Sequence, residues 1–256
     1  MKATTALITG ASSGLGAEYA RQLAARGFSL VLVARNQEPL EQLATEIETQ
    51  HGVRTEIIAA DLLLEEGLDL VESRLLSEDR PIRVLVNNAG FGLPLDFENN
   101  EITEEVRHLR LHNEVQMRLS HAALQGMLAR RAGTILNIAS VAAFIPRSTY
   151  SASKQWLVVF SRWANARYGP RGVTVTAVCP GFTHTHFHER MGLAPGEEGV
   201  PNWMWLNAEQ VVAESLRDAA HNKALSIPSL RYKFLAALAR IVPGEITARV
   251  GERGRI

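Results

Sequence analysis

Residues 5–20 read TALITGASSGLGAEYA, a short apolar run followed directly by a glycine-rich turn and then by a helical pattern. Glycine lets the backbone turn sharply and approach a ligand closely, and the free N–H groups at a helix N-terminus stabilise phosphate groups. Gly10, Gly14 and Gly16 supply that freedom here. This order of strand, turn and helix therefore predicts a loop that binds a diphosphate.

The rest of the chain continues the same alternation of short apolar runs and longer helical patterns. Six further runs occur, namely SLVLVAR, RTEIIAA, VLVNNAG, TILNIAS, VTVTAVC and ALSIP. Their nearly continuous hydrophobicity is typical of strands buried on both faces, and strands alternating with helices indicate a parallel sheet. We therefore predict an α/β fold with a doubly wound, Rossmann-type parallel sheet of about seven strands, forming a single domain over residues 1–256.

Charge and cysteine usage limit the classes of partner. Lys+Arg and Asp+Glu both number 27, so the formal charge is zero, and no bulk field attracts nucleic acid or a membrane. The one cysteine, Cys179, lies in the apolar run VTVTAVCP and is predicted to be an inert buried thiol. No apolar run approaches the roughly 20 residues of a membrane span. We predict a soluble cytoplasmic protein without nucleic-acid partners or stable membrane insertion.

The glycine turn also satisfies the pattern G-x-S-x-G, which would make Ser12 a hydrolase nucleophile. That geometry needs an oxyanion-hole loop from an earlier strand, and almost no sequence precedes this turn. A serine hydrolase is therefore the weakest of the alternatives.

Arg35 follows the second apolar run, where a dinucleotide fold contacts the adenosine ribose. An NAD-specific site usually has Asp or Glu at this point, whereas a guanidinium suits a 2′-phosphate. We therefore predict NADP(H) in preference to NAD(H). The alternative is a solvated arginine at the entry to the next helix.

Seven motifs in sequence order resemble those of the short-chain dehydrogenase/reductase family, in particular its ketoreductase-like bacterial branch. They are TGASSGLG, Asp61-Leu62, NNAG at 87–90, Asn113, NIAS ending at Ser140, YSASK at 150–154 and PGFTHT at 180–185. The resemblance covers essentially the whole chain. It implies an oxidoreductase that assembles as a homodimer or homotetramer and needs no metal.

The resemblance also implies a set of functional residues. The catalytic residues would be Asn113, Ser140, Tyr150 and Lys154. The cofactor-binding residues would be Gly10, Ser12, Ser13, Gly14, Leu15, Gly16, Arg35, Asp61, Leu62, Asn87, Asn88, Ala89, Gly90, Tyr150, Lys154, Pro180, Gly181, Thr183 and Thr185. Among these, Asp61 would bind the adenine amino group, and Thr183 with Thr185 would fix the nicotinamide carboxamide.

Tyr150 and Lys154 are four residues apart, so on a helix they share one face with Cβ atoms about 5–6 Å apart. Tyrosine titrates near pH 10, too high for efficient proton transfer at neutral pH. One ammonium at about 5 Å in a dielectric of about 20 favours phenolate by roughly 3 kcal/mol, or about two pK units. We therefore expect Lys154 to lower the pKa of Tyr150, which would act as general acid and base.

Asn113 falls on a predicted apolar stripe of a helix around residues 104–131. The stripe consists of Val106, Leu109, Asn113, Met117, Leu124 and Leu128. An amide in apolar surroundings must find hydrogen-bond partners, so a satisfied structural asparagine is one interpretation. The family resemblance implies the other, in which its backbone carbonyl holds a water bonded to Lys154.

Ser140 is expected to orient and polarise the substrate carbonyl beside Tyr150. Only nine residues separate the two, several fewer than is usual in the family, and Ala143 replaces a frequent glycine. Either the substrate loop is trimmed, which we favour, or Ser140 is pulled out of register.

Residues 186–206, rich in Gly and Pro, are predicted to form a substrate lid. His184, His186 and His188 are interpreted as lid or surface histidines in preference to metal ligands. Trp203 and Trp205 would line an apolar substrate pocket or pack the lid against the body.

The amphipathic tail, about residues 229–256, spaces Leu230, Phe234, Leu238 and Ile241 at helical intervals. We expect this face to pack on the same chain or on a neighbouring subunit in preference to a membrane.

The sequence thus predicts an NADP(H)-dependent oxidoreductase that transfers a hydride between nicotinamide and a hydrophobic carbonyl compound or secondary alcohol. The alternative from another class is a nucleotide-binding regulator that keeps the fold without useful turnover. Only the short segment between Ser140 and Tyr150 favours it.

Overall fold

The computed structural model describes residues 4–185 and 201–241, which contain seven strands and eight α-helices. The strands are β1 (Thr5–Thr9), β2 (Ser29–Ala34), β3 (Thr55–Ala59), β4 (Ile82–Asn87), β5 (Gly133–Ile138), β6 (Val173–Val178) and β7 (Leu225–Ser226). The helices are α1 (Gly14–Ala24), α2 (Gln37–His51), α3 (Glu65–Leu76), α4 (Ile102–Leu109), α5 (Gln116–Ala129), α6 (Thr149–Tyr168), α7 (Ala208–Ala220) and α8 (Leu230–Ile241). A π-helical segment, Arg110–Val115, joins α4 to α5.

All seven strands pair in parallel in the order β3-β2-β1-β4-β5-β6-β7. The direction of strand progression reverses between β1 and β4, and such sheets bind ligands outside the carboxyl ends of the strands at that reversal. The predicted doubly wound fold is confirmed. The glycine turn after β1 and the NNAG turn after β4 meet at this edge.

Both faces of the sheet are covered, which explains why its strands read as continuous apolar runs. Leu7 and Ile8 are neighbours in β1 and both are fully buried, but they belong to separate core clusters. Ile8 faces a layer that contains α1, α2 and α7, and Leu7 faces a layer that contains α3 and α5. Within the described residues, no helix combines the length and the apolar character required to cross a membrane.

The buried face of α4 differs from the predicted apolar stripe. Val106 and Leu109 are 57% and 56% exposed and Met117 is 43% exposed, whereas Asn113 is buried. A π turn holds more residues than an α turn, so a 3.6-residue period does not keep one face in register through Arg110–Val115. The predicted stripe is therefore wrong for Val106, Leu109 and Met117. Leu124 is buried, Leu128 packs against the core, and Asn113 points inward, all as predicted.

The predicted apolar face of the tail is exposed. Leu230 is 82%, Phe234 69% and Leu238 49% exposed, while Tyr232 and Ala236 form the buried side of α8. The expectation that this face packs on the same chain is wrong for these residues, which leaves packing on a neighbouring subunit as a prediction. The side chain of Ile241, residues 242–256 of the tail and residues 186–200 of the predicted lid lie outside the described residues.

Candidate active site

The glycine turn is held open by its own backbone and by the turn that follows β4. Gly10 and Gly14 have positive φ values of 65° and 55°, a conformation that disfavours residues with a Cβ. A Cβ on Gly16 would overlap the Gly10 carbonyl oxygen. Asn88 Nδ2 donates to the carbonyl oxygens of Thr9 (3.0 Å) and Gly10 (3.1 Å), which fixes the two turns together. The geometry fits a diphosphate at the N-terminus of α1.

Arg35 and Asp61 lie beyond the ends of β2 and β3, beside this turn. Arg35 is exposed, and the residues that end β2 include no carboxylate. Asp61 is half-buried, and its Oδ1 accepts a hydrogen bond from the Leu63 N–H (3.0 Å). The structure thus brings the two predicted adenosine contacts to one edge of the sheet. Leu62 is almost fully buried and packs into the core.

The Asn87 side chain, like that of Leu62, lies in the interior of the protein. Asn87 is fully buried, and its Nδ2 donates to Ser120 Oγ (3.0 Å) and Asn137 Oδ1 (2.9 Å). Its amide therefore stabilises the packing of α5 on β4 and β5 and is turned away from the ligand edge.

The predicted nicotinamide motif, Pro180–Thr185, passes close to the glycine turn. A Cβ on Gly14 would lie 3.2 Å from Thr185 Cβ, so Thr185 lies across the turn. Thr183 is buried, pairs with Leu206 in an isolated parallel bridge, and its Oγ1 donates to the Gly181 carbonyl (2.9 Å). The motif is thus fixed on the side where a nicotinamide would lie.

Tyr232 from α8 fastens the same motif from outside. Its hydroxyl accepts a hydrogen bond from the Phe182 N–H (3.1 Å) and donates to the Met204 carbonyl (2.8 Å). Its ring occupies the space that a Cβ on Gly181 would take. The C-terminal helix therefore positions the nicotinamide motif, a role that the sequence reasoning missed.

Ser140 and Tyr150 face each other. Their side chains share a hydrogen bond, and Ser140 Oγ also accepts from the Ala142 N–H (3.1 Å). The short segment between them forms a 3₁₀ turn, Val141–Phe144, before α6 begins. The loop is thus trimmed, and the alternative in which Ser140 is displaced is wrong.

Lys154 lies almost fully buried beneath Tyr150. Its Nζ donates to the Ile138 carbonyl (2.7 Å) and lies 5.5 Å from the centroid of the Tyr150 ring. Burial lowers the pKa of Lys154 to about 7, and burial raises the pKa of Tyr150 to about 12 despite the hydrogen bond from Ser140. The expectation that Lys154 lowers the pKa of Tyr150 is wrong for the cofactor-free site, because desolvation dominates there and disfavours both charged forms.

Asn113 is buried in the π-helical segment, and its Nδ2 donates to the carbonyl of Ser153 (3.1 Å). Because Ser153 precedes Lys154, this bond fixes the segment against α6 beside the ammonium. The contact satisfies only Nδ2, because Asn113 Oδ1 has no hydrogen-bond partner among the described residues, so the interpretation as a satisfied structural asparagine holds in part. The water on its backbone carbonyl stays a prediction.

The family model for short chain dehydrogenase matches residues 4–194. A very-long-chain 3-oxoacyl-CoA reductase of Anas platyrhynchos is 36% identical over 190 residues, which are 70% of this chain and 60% of that protein. The chain belongs to the short-chain dehydrogenase family. The family prediction is confirmed, although the chain spans only about 60% of the length of this curated relative.

Two solved structures resemble this one along nearly their whole length. A short-chain dehydrogenase from Sphingobium yanoikuyae in complex with NADPH is 33% identical, with a TM-score of 0.84, covering 99% of this chain and 96% of its own. The bulky-bulky ketone specific alcohol dehydrogenase from Comamonas testosteroni is 31% identical, with a TM-score of 0.80, covering 100% and 96%.

Two buried histidines that the sequence reasoning missed lie beside Tyr150 in this short-chain dehydrogenase. His108 and His112 are each 1% exposed, and their ring centroids are 4.3 Å apart and 5.8 and 5.9 Å from that of Tyr150. Burial lowers the pKa of His108 to about 4 and that of His112 well below its ordinary value, and the Lys154 charge acts in the same direction. Both imidazoles are therefore neutral at pH 7.

Glu105 lies on the same buried face as His108 and His112. Apolar periodicity does not predict this polar face. Glu105 is almost fully buried, and its two carboxylate oxygens accept from Asn100 Nδ2 (2.8 Å) and Thr149 Oγ1 (2.7 Å). The positions 105, 108 and 112 have the i, i+3, i+7 spacing of a helix face. These three polar residues, spaced as on one helix face and close to Asn113, are the feature of the sequence from which the buried polar face could have been predicted.

A cavity of about 250 Å³ opens beside Tyr150. It is lined by Leu93, Pro94, Leu95, Asp96, Phe97, Glu98, Glu105, His108, Arg147, Ser148, Thr149 and Tyr150. Neither Trp203 nor Trp205 belongs to this lining. The Trp205 ring stacks on His184 with centroids 4.7 Å apart, which favours the packing interpretation for Trp205. Trp203 is 58% exposed and supports neither interpretation.

His186 and His188 lie outside the described residues. In the part of the chain that the structure covers, no cluster of three or more His, Cys, Asp or Glu side chains could hold a metal.

Proposed function

We propose that this protein is an NADP(H)-dependent oxidoreductase that transfers a hydride between nicotinamide and a carbonyl compound or secondary alcohol. The observation that carries the proposal is the hydrogen-bonded pair Ser140–Tyr150, placed between the glycine turn, the Pro180–Thr185 motif and a cavity. Tyr150 lines the cavity and is the acid that a carbonyl there would meet, and its hydroxyl is hydrogen-bonded to Ser140.

When bound, the nicotinamide supplies or accepts the hydride. Tyr150 gives its hydroxyl proton to the carbonyl oxygen during reduction, and Ser140 donates a hydrogen bond that polarises the same oxygen. Lys154 beneath Tyr150 then returns a proton to the phenolate, which its low pKa permits at neutral pH. Asn113 holds the π-helical segment that covers Lys154.

The preference for NADP(H) rests on Arg35. An exposed guanidinium beyond β2 suits a 2′-phosphate, and no carboxylate competes for the ribose at the end of that strand. The Sphingobium yanoikuyae relative, in complex with NADPH, supports the same choice.

The relatives favour a hydrophobic substrate. Leu93, Leu95 and Phe97 are apolar residues of the cavity lining, although polar and charged side chains make up most of it. The relatives include a reductase of very-long-chain 3-oxoacyl-CoA and a dehydrogenase specific for bulky-bulky ketones. We propose a bulky hydrophobic ketone or its alcohol as the substrate.

Tyr150→Phe tests the proposed chemistry. NADPH oxidation with a panel of bulky ketones should fall at least about 100-fold, the usual range for removal of a general acid. NADPH affinity, measured by fluorescence, should change little because the glycine turn is untouched. Tyr168→Phe at the end of the same helix is the matched control and should keep full activity. Undiminished turnover in the Tyr150 variant would refute the mechanism.

The alternatives lose their support. The short segment between Ser140 and Tyr150 favoured a regulator without turnover, and the hydrogen bond between the two side chains weakens that argument. Membership in the short-chain dehydrogenase family leaves nothing in favour of a hydrolase that uses Ser12.

We further propose a homodimer through the outer face of α4–α6. Val106, Leu109, Met117, Val159 and Trp163 on these helices are each at least 43% exposed, and together they would form an apolar surface that suits an interface. Light scattering should therefore give twice the chain mass, and Val159→Glu should give the monomer mass. A monomeric parent protein would refute this interface. The cytoplasmic location stays a prediction.

A further inference from the structure

Glu105 is a buried carboxylate to which the proposed chemistry gives no role. It is 6% exposed and belongs to α4, in the lining of the cavity beside Tyr150. Within the described part of the chain, no arginine or lysine forms an ion pair with it. Burying a carboxylate is costly unless hydrogen bonds compensate for the lost water. The groups that supply those hydrogen bonds therefore indicate what Glu105 holds in place.

Both carboxylate oxygens of Glu105 accept hydrogen bonds from other parts of the cavity lining or its supports. Oε2 accepts from Thr149 Oγ1 (2.7 Å), and Thr149 is the first residue of α6, directly before Tyr150. Oε1 accepts from Asn100 Nδ2 (2.8 Å), which also donates to the Pro94 carbonyl (2.8 Å). Pro94 and Thr149 both line the cavity. Continuous hydrogen bonds thus join the loop at Pro94, through Glu105, to the residue before Tyr150.

The chemistry of the two partners explains why this position carries a carboxylate. Asn100 Nδ2 and Thr149 Oγ1 both donate, so the group between them has to accept twice. An ionised carboxylate offers two acceptor oxygens, and its hydrogen bonds are shorter and stronger than those between neutral groups. A negative charge beside the N-terminus of α6 is also favoured by the helix dipole.

We infer that Glu105 is a positioning residue that, through Thr149, holds the first turn of α6 and with it the Tyr150 hydroxyl opposite Ser140. The inference rests on the proposed function, in which Tyr150 gives its proton to the substrate carbonyl. The first N–H groups of a helix have no partners within the helix, so its first turn depends on contacts from outside to stay ordered. A misplacement of about 1 Å at a reacting group can lower a rate about 100-fold.

The experiment measures kcat, KM and NADPH affinity in Glu105→Ala with a bulky ketone as substrate. We expect kcat to fall at least about tenfold, with NADPH affinity unchanged because the glycine turn is not involved. Glu105→Gln should stay within about threefold of the wild type, because its amide can donate to the Thr149 hydroxyl while its oxygen accepts from Asn100. Glu104→Ala is the matched control and should keep full activity, since the Glu104 side chain is 42% exposed and pairs with Arg107.

A double-mutant cycle tests the route through Thr149. Thr149→Val removes the hydroxyl and should lower kcat about as much as Glu105→Ala, and the double variant should lose no more than the worse single variant. Multiplicative losses would overturn the inference. A merely structural Glu105 would lower the urea midpoint and leave kcat of the folded enzyme unchanged, which would also overturn it. If Glu105→Ala does not fold, Thr149→Val still decides, because unchanged kcat in that variant contradicts the route.

Hydrogen exchange separates failure of this inference from failure of the proposed function, because it needs no substrate. Backbone amides of residues 151–156 should exchange faster in Glu105→Ala than in the wild type or in Glu104→Ala. Faster exchange in a protein that turns over no ketone would support the link from Glu105 to α6 and refute the oxidoreductase. Turnover with unchanged exchange would do the reverse.

Discussion

Replacing Lys154 with methionine should stabilise the cofactor-free protein near neutral pH, and the gain should shrink as the pH rises. Lys154 is 4% exposed, and among the described residues its ammonium has one backbone acceptor, the Ile138 carbonyl, and no carboxylate. Burial therefore disfavours the charged form, which the unfolded chain keeps without penalty. Methionine has a similar shape and needs no proton.

The size of the effect follows from the pKa, which falls from 10.5 in the free side chain to about 7 in the folded protein. Between these values the unfolded chain binds more protons than the folded chain, so the stability of the wild type rises with pH. At about 1.36 kcal/mol per pK unit, the lowered pKa of Lys154 destabilises the folded wild type by about 4 kcal/mol at pH 7 and by about 1.5 kcal/mol at about pH 9.5. In Lys154→Met, loss of the hydrogen bond to the Ile138 carbonyl reduces the gain in stability by about 1–2 kcal/mol at both pH values.

Urea unfolding followed by circular dichroism measures the difference at the two pH values. We expect Lys154→Met to exceed the wild type by about 2–3 kcal/mol at pH 7 and to equal it at about pH 9.5. The raised pKa of Tyr150 affects both proteins alike and only above about pH 10. Lys233→Met, at a lysine 41% exposed, is the matched control and should show no such trend. Parallel stability curves for Lys154→Met and the wild type would refute a desolvated ammonium.

Three further predictions concern the cofactor site and the core. Arg35→Asp should lower the preference for NADPH over NADH at least about tenfold, because a carboxylate binds ribose hydroxyls and repels a 2′-phosphate. An unchanged ratio of kcat/KM for NADPH to that for NADH would contradict a role for Arg35 in cofactor binding. Gly16→Ala should abolish NADPH-induced fluorescence changes, since the Cβ of the new alanine would overlap the Gly10 carbonyl oxygen. An unchanged affinity for NADPH would contradict the close packing of the glycine turn. Tyr19→Phe should lower the free energy of unfolding by about 1 kcal/mol through loss of the buried hydrogen bond to Ser215 (2.5 Å), and an unchanged urea midpoint would contradict it.

The sheet and the glycine turn were predictable because their causes are local. A strand covered on both faces must be apolar at successive positions, as Leu7 and Ile8 are, and a turn that contacts backbone needs glycine, as at Gly16. These requirements act on residues that are close together in the sequence. The sheet and the turn can therefore be predicted without knowing which distant residues they contact in the fold.

The helices α4 and α5 and the π-helical segment between them were only partly predictable. The π-helical segment, which contains Asn113, breaks the 3.6-residue period on which the predicted apolar stripe depended. The histidines were missed for a related reason. His108 and His112 are polar residues on a buried face, and periodicity searches assign buried faces to apolar residues. Their burial follows from the packing of α4 and the π segment against α6, a contact distant in sequence.

The proton chemistry could not be predicted from spacing, because the four-residue interval between Tyr150 and Lys154 fixes their separation but not their solvation. Burial acts on both groups and favours their neutral forms, a phenol and, above about pH 7, an amine. A protonated phenol is the form that delivers a proton to a carbonyl, so the cofactor-free site is already prepared for reduction. Alcohol oxidation needs the phenolate and hence an added positive charge near Tyr150. We therefore expect the oxidation rate to rise over a more alkaline pH range than the reduction rate, and coincident pH profiles would contradict this account.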